Sequence, residues 1–354
     1  MEGHRARLEG DRRVTGAGDA ARPLRLLLSP AAARTLSVQV GDAIGGAAWI
    51  HVAPGDMGAD FDVAFVSRDV TGLSTKHEVQ SATQVFYDAL LAALSLQWVH
   101  VHSAGADRPV YVALRERGVQ VTTSSGANAP VVAISALAGI LALARRLPLL
   151  LEAQRERRWA PLFASGVPRD LQGQSAVVVG WGPIGQRIGA LLQALGVRIA
   201  VARQSPVPAG ADIPTVQYGQ LRQLLPQADW LVLCCPLSSE TRHLVDGAAL
   251  ARLRRGAHVV NVARGDVVDE DALIAALSSG ALAGAHLDVF AHEPLPATSA
   301  LWELPNVIVT PHSAGFSDGN EERVARMFLN NLARWACGEP LAKREGGAVT
   351  HTAL

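Results

Sequence analysis

The chain has no net charge to offer a polyanion. Its 32 Lys and Arg are matched by 32 Asp and Glu, for a formal net charge of zero. Without an excess positive field nothing draws phosphates in over a distance, so nucleic-acid binding is not expected. Cysteine is scarce: there are three, and Cys234 and Cys235 are adjacent. That number builds no disulfide framework, and with no CxxC or Cys/His cluster no metal site is expected. Buried thiols in a reducing, cytoplasmic compartment are the expectation. Long apolar runs are missing too. Pro130 to Ala144 is almost wholly apolar but ends at Arg145-Arg146, short of the ~18 residues of a membrane span. It reads as a buried or interdomain helix, and no membrane partner is expected. Met1 to Arg22 is charged and Gly-rich. It lacks the apolar core of a secretory signal, so a flexible tail at 1–22 is expected. No internal repeat or free Gly/Ser linker stands out.

What is present is alternation. Leu26 to Leu28, Ala48 to Val52, Val63 to Val66, Leu96 to Val101 and Val119 to Val121 read as short strands between Ala/Leu-rich helical stretches such as Ser81 to Ser95. A second series follows: Ala176 to Val179, Val197 to Val201, Leu231 to Cys234, His258 to Val262, Ala285 to Val289 and Val307 to Thr310. Alternating strand and helix predict parallel sheets covered by helices on both faces. Between the series, Leu147 to Asp170 carries three prolines and four arginines and reads as a crossover. In Glu321 to Cys337, Val324, Met327, Phe328, Leu332 and Trp335 recur at helical spacing, and Gly338 and Pro340 stop the run. A final helix of this kind can pack back on the first domain. At 354 residues the chain is long enough for two domains. The expected fold is α/β, two Rossmann-like or flavodoxin-like domains with a cleft between them. Residues 23–125 and 316–345 are expected to form the first domain and 126–315 the second.

Gly180-Trp181-Gly182-Pro183-Ile184-Gly185 matches GxGxxG. Alone the motif is weak. Here a strand precedes it and an amphipathic helix, Ile184 to Leu195, follows. Gly180 permits the tight turn, Gly182 lets backbone approach a pyrophosphate, and Gly185 lets helix and strand pack closely. Pro183 suits a first helical turn, where its missing N–H is no loss. The helix amino end then presents N–H groups and its positive dipole end to phosphates. The second strand of this unit runs into Arg203-Gln204-Ser205, where an NAD-preferring domain carries an acidic residue for the ribose 2′-hydroxyl. A guanidinium there can fork two bonds onto a 2′-phosphate. Arg203, with Ser205, predicts NADP(H) preference, with NAD still possible.

Downstream lie Asn261-Val262-Ala263-Arg264-Gly265, Leu287-Asp288-Val289-Phe290, Glu293-Pro294 and Thr310-Pro311-His312-Ser313-Ala314-Gly315. An arginine to hold an anion, a histidine and a carboxylate to steady it are the parts needed to reduce a 2-oxo acid. Together with Val179 to Gly185 and Cys235-Pro236-Leu237, these stretches resemble the D-isomer-specific 2-hydroxyacid dehydrogenases, in the family's order, over about residues 103–340. The resemblance implies that Arg264 binds the substrate carboxylate and polarises the keto group. His312 exchanges a proton with the carbonyl oxygen, a task that suits an imidazole, which titrates near neutral pH. Glu293 holds the imidazole. Asp288 and Ala263 lie by the nicotinamide and Pro236 by the adenosine, although a turn cap would also explain Asp288 and packing alone Pro236. His102 to Asp107 resembles the loop that turns backbone N–H groups of Ala104 and Gly105 toward the substrate carboxylate, with a tight strand-to-helix turn as the equal alternative. Arg68 is a further candidate for the cleft.

The implied activity is hydride transfer between NADPH and a small 2-oxo acid, glyoxylate or hydroxypyruvate first, in a homodimer. Two alternatives share the motifs: a phosphoglycerate dehydrogenase-like enzyme, and a dinucleotide-sensing corepressor-like scaffold. One departure is visible. Members commonly carry Val-Ala-Glu in the helix between domains, and here Ile134 follows Val132-Ala133.

Overall fold

A computed structural model describes residues 22–56, 58–75, 78–164 and 166–344. The expected tail at 1–22 lies outside these except for its last residue.

The first half builds one sheet. Its elements run β1 Leu24–Leu27, α1 Pro30–Ala43, β2 Trp49–Val52, β3 Val63–Val66, α2 Arg68–Thr71, α3 Ser81–Ala92, β4 Trp98–Val101, α4 Pro109–Glu116 and β5 Gln120–Thr123. All five strands are parallel, in the order β2-β1-β3-β4-β5. Alternate β3 residues point to opposite faces. Ala64 and Val66 pack into a core with α3 and α4, while Val63 and Phe65 pack with α1.

Two helices lead out of it, α5 Ala129–Ala144 and α6 Leu147–Arg155. The crossover is therefore partly helical, with a proline at the start of α6 where a missing N–H is harmless. Its end is lashed to the second sheet by Arg169, whose guanidinium meets the buried Asp229 carboxylate at 2.7 Å. Among the described residues no single helix is long and apolar enough to cross a membrane. Half of α5 is buried against α7, β10 and β11, introduced next.

The second half runs β6 Ser175–Val179, α7 Pro183–Ala194, β7 Arg198–Arg203, β8 Thr215–Gln217, β9 Trp230–Leu233, α8 Gly247–Leu250, β10 Ala257–Asn261, α9 Glu270–Ser278, β11 Leu282–Leu287 and β12 Val307–Val309. The seven-stranded parallel sheet has the order β12-β11-β10-β9-β6-β7-β8. From the β8 edge this is the dinucleotide-fold order with one strand added. Two details correct the sequence reading. β8 was not expected, because three half-exposed residues carry no apolar run. β11 begins three residues before Ala285, since Gly284 hides its start. A Cβ there would meet the Asn306 carbonyl at 2.6 Å, so glycine serves packing and not a turn.

The last helix, α10 Asn320–Ala336, returns to the first sheet. Val324, Phe328 and Leu332 join the α1 core, and the Phe328 ring stacks on Phe65 with centroids 4.5 Å apart. The chain thus crosses twice between the two sheets.

The fit of α5 to β11 is tight at one point. A Cβ on Gly139 would stand 2.0 Å from Nδ1 of buried His286. Gly139→Ala is expected to lower unfolding free energy by about 1–3 kcal/mol through overpacking. Chemical denaturation measures this, and Gly139→Ala/His286→Ala should recover most of it. An alanine variant as stable as wild type would show that α5 can shift freely.

Candidate active site

The dinucleotide loop sits where the strand order of the second sheet reverses, between β6 and β9. Gly180 has φ +100°, and a Cβ on it would meet the Cys235 backbone at 2.7 Å. Gly185 is as restricted, 2.0 Å from the Gly180 carbonyl. Gly182 differs: a Cβ there meets no protein atom within 4 Å. Packing does not require that glycine, whereas backbone approach of a ligand at the amino end of α7 would. Gly182 is the N-cap and Pro183 the first helical residue, so both stand as expected, with Ile184 half-buried behind them. Exposed Pro236 follows β9 on the other side of the crevice. These groups fit a nicotinamide dinucleotide, with its pyrophosphate on the α7 N–H groups.

Arg203 ends β7. It and Ser205 line a cavity of about 640 Å³ with Trp181 and Gln186, and among the described residues no carboxylate lines it. The Arg203 guanidinium makes one long bond, to the Val207 carbonyl at 3.4 Å. Trp181 was not singled out by sequence. Its ring lies where a Cβ on Gly189 would be, 2.6 Å away, so Gly189 seats the indole.

The catalytic candidates come from three separate loops. His312 follows β12 and has φ +51°, a left-handed conformation unusual outside glycine. Its exposed ring donates from Nδ1 to the Glu293 carboxylate at 2.7 Å. Burial pulls the Glu293 carboxyl pKa up. The hydrogen bond and charge of His312, the Phe290 N–H and the Arg264 charge outweigh it and leave the pKa below its ordinary value. Glu293 is thus held ionised beside the imidazole, and the other ring nitrogen, Nε2, is left to act on a substrate.

What holds the His312 turn is Asp288. Its buried carboxylate accepts from the Thr310 hydroxyl at 2.6 Å, the Ser313 N–H at 2.9 Å and the Ala314 N–H at 3.0 Å. Its backbone carbonyl takes the His312 N–H at 2.8 Å. The structure thus puts this side chain to work as a turn cap. Thr310, Asp288 and His286, whose Nε2 lies 3.4 Å from the Thr310 hydroxyl, support the turn from below. A Thr before a Pro gave no sequence signal of that.

Arg264 follows β10. Its Nη1 donates to the Ala263 carbonyl at 2.7 Å, and Ala263 is itself fixed by its N–H to the Asn261 side chain at 3.0 Å. Nη2 reaches across to the other sheet, 3.1 Å from where a Cβ on Gly105 would stand. The Ser103–Ala106 loop that holds Ala104 and Gly105 thus faces Arg264, and Gly105 lets the guanidinium close in. A second bridge between the halves joins the Thr75 hydroxyl to the Glu293 carbonyl at 3.3 Å. Among the described residues no cluster of three His, Cys, Asp or Glu could hold a metal ion.

An arginine and a histidine–glutamate pair in a chain with a dinucleotide loop suit proton-coupled hydride transfer to a carbonyl beside a carboxylate. Comparison with known proteins agrees. Residues 137–314 match the family model described as D-isomer specific 2-hydroxyacid dehydrogenase, NAD binding domain. A glyoxylate reductase of Korarchaeum cryptofilum is 34% identical over 255 residues, 70% of this chain and 75% of the relative. An (S)-sulfolactate dehydrogenase of Chromohalobacter salexigens is 36% identical over 258 residues, 72% of this chain and 82% of the relative. Among solved structures, a D-isomer specific 2-hydroxyacid dehydrogenase from Xanthobacter autotrophicus Py2 in complex with NADPH and MES superposes with a TM-score of 0.72 at 30% identity, covering 92% of this chain and 98% of that one. The chain belongs to the D-isomer specific 2-hydroxyacid dehydrogenase family and is an oxidoreductase that uses a nicotinamide dinucleotide.

Proposed function

We propose that this protein reduces small 2-oxo acids to D-2-hydroxy acids with NADPH, glyoxylate and hydroxypyruvate being the first acids to assay. The observation that carries the reading is the His312–Glu293 pair at 2.7 Å on a turn braced by Asp288. The glyoxylate reductase and the NADPH-bound relative support the substrate and the cofactor.

When bound, the dinucleotide supplies the hydride that becomes the new C2–H bond. Arg264 forks onto the substrate carboxylate and leans on the keto oxygen, drawing charge toward it. Protonated His312 gives its Nε2 proton to that oxygen, so the acid takes up one hydride and one proton and becomes the hydroxy acid. Glu293 stays ionised and orients the ring throughout. The backbone of Ala104 and Gly105 completes the carboxylate site. Residues 23–125 with 316–345 form the substrate side and 126–315 the cofactor side, and the Thr75–Glu293 hydrogen bond joins the two.

Arg203, in a cavity without a carboxylate, supports NADPH over NADH. Arg203→Asp is expected to lower kcat/KM with NADPH about 100-fold, the effect of losing a charged contact to the 2′-phosphate. Steady-state comparison of the two cofactors measures it. A wild type that prefers NADH, with a ratio unchanged by the substitution, would defeat the idea. Turnover on any 2-oxo acid separates an enzyme from a dinucleotide-sensing scaffold.

A homodimer is the proposed assembly. Ile134, which stands where the family commonly has glutamate, is 62% exposed, and Leu147, Leu151, Trp159 and Phe163 in the segment that follows are exposed as well. Covering such side chains with a second copy would remove them from water.

A further inference from the structure

One buried polar ring has no task in this mechanism. His286 lies on β11 and is 3% exposed. The neighbouring strands set Val260 and Ile308 beside it in register. The buried face of α5 is apolar as well, with Ala136, Ile140 and Leu143. An imidazole is unfavourable in such a place, because its nitrogens give up water. The fold nonetheless makes room for it. Gly139 of α5 leaves open the space beside the ring, where a Cβ would stand 2.0 Å from Nδ1. Burial lowers the His286 pKa by more than Asp288 raises it, so the ring is neutral at neutral pH.

Counting protons fixes its tautomer. The Thr310 hydroxyl has one proton and gives it to Asp288 Oδ1 at 2.6 Å, a short bond of the kind a carboxylate draws. The same hydroxyl oxygen lies 3.4 Å from His286 Nε2, so Nε2 is the donor of that pair. Nδ1 is then bare, and among the described residues it has no hydrogen-bond partner. An N–H aimed at the hydroxyl oxygen leaves the Thr310 proton nothing to gain by turning toward the ring, and so commits it to Asp288. The Asp288 carboxylate in turn holds the Ser313 and Ala314 N–H groups at 2.9 and 3.0 Å. Ring, hydroxyl and carboxylate form one directed line of bonds that ends on the catalytic turn. α5 also holds this turn directly, through the Ser135 hydroxyl on the Ala314 carbonyl at 3.0 Å. The turn needs such holding, since His312 at φ +51° is strained and stays so only while its surroundings fix it.

We propose that His286 is a positioning residue for the proton transfer. Through Thr310 and Asp288 it fixes the turn on which His312 stands, and with it the approach of the His312 ring to the keto oxygen. The inference rests on the reductase reading and deepens it.

The test combines kinetics with a readout that needs no substrate. Heteronuclear NMR of imidazole-labelled protein should show His286 as the Nε2–H tautomer, its signals assigned by their loss in His286→Phe. His286→Phe keeps a ring beside Gly139 and removes the N–H. With NADPH and the 2-oxo acid turned over fastest, it should lower kcat about 10-fold, the scale of a small misplacement of a reacting group. KM for the acid should stay within about 2-fold. His286→Gln, whose amide N–H can reach the place of Nε2, should restore most of kcat. Thr310→Val breaks the same line and should lower kcat at least as much, whereas Thr310→Ser should keep it. Adding His286→Phe to Thr310→Val should cause no further loss, because both act on one line. Thermal unfolding checks that each variant is folded, and the Thr310 pair reads the line if phenylalanine does not fit. Losses that multiply in the double variant, or no recovery in His286→Gln, would mean that His286 only fills space under α5, and would overturn the proposal. An Nδ1–H tautomer would overturn it too. Wild-type kcat in His286→Phe would overturn it and leave the reductase reading standing. No turnover of any acid by the wild type would overturn the reductase reading and this role with it.

Discussion

Replacing His312 by asparagine should lower kcat for 2-oxo acid reduction about 10³-fold, within the range for loss of a general acid, while the protein stays folded. Asparagine is the informative choice. His312 holds φ +51°, and asparagine accepts the left-handed region better than most residues. Alanine there would mix backbone strain with lost chemistry. The ring is exposed and its backbone N–H bond to Asp288 survives the change, so thermal unfolding should move little. Stopped-flow and steady-state NADPH oxidation read the loss. Wild-type turnover in His312→Asn would remove His312 from the mechanism. Glu293→Gln should cost less, because an amide still accepts the ring N–H but no longer carries the charge that stabilises imidazolium. The depressed pKa of Glu293 also bears on stability. A carboxyl whose pKa is lowered on folding stabilises the native state above its unfolded pKa, and that contribution disappears as pH falls through the folded value. Glu293→Gln should therefore flatten part of the acid side of the stability profile.

Arg264→Ala should lower kcat/KM about 10³-fold or more, since in the proposed mechanism one side chain both anchors the carboxylate and draws charge onto the keto oxygen. Lysine should recover little. The guanidinium spends Nη1 on the Ala263 carbonyl and still sends Nη2 toward Gly105. An ammonium is a point charge and cannot make both contacts with one rigid fork. The expected signature is a large rise in KM together with a fall in kcat, because the interaction exists in the ground state and strengthens in the transition state. A KM within about 3-fold of wild type in Arg264→Ala would move the carboxylate site elsewhere. Gly105→Ala offers a milder probe of the same contact. Its Cβ would crowd Nη2 at 3.1 Å, so it should act through Arg264 and add little to Arg264→Ala.

The dinucleotide loop was legible because each of its glycines answers a local demand. Gly180 and Gly185 leave no room for a Cβ, and Gly182 caps a helix. The buried strands were legible because parallel strands covered on both faces read as apolar runs. β8 was not, being an edge strand of three residues that pairs only with β7. Asp288 was placed by resemblance near the nicotinamide. Its three bonds to the His312 turn join residues more than twenty positions apart, a pairing no local pattern encodes. Arg68 was a bare candidate, and the fold sets its guanidinium carbon 4.6 Å from the centre of the Phe316 ring.

By itself the sequence determined the two α/β series, the cofactor loop and the chemical set of Arg264, Glu293 and His312. Strand periodicity, turn geometry and side-chain chemistry are local properties, written where they act. Tertiary structure decided which groups meet: Gly105 under Arg264, Asp288 beneath His312, and Arg68 against the Phe316 ring. Those encounters depend on the order in which strands pair and on helices that cross between the two sheets, and only the folded chain brings such distant residues within bonding distance.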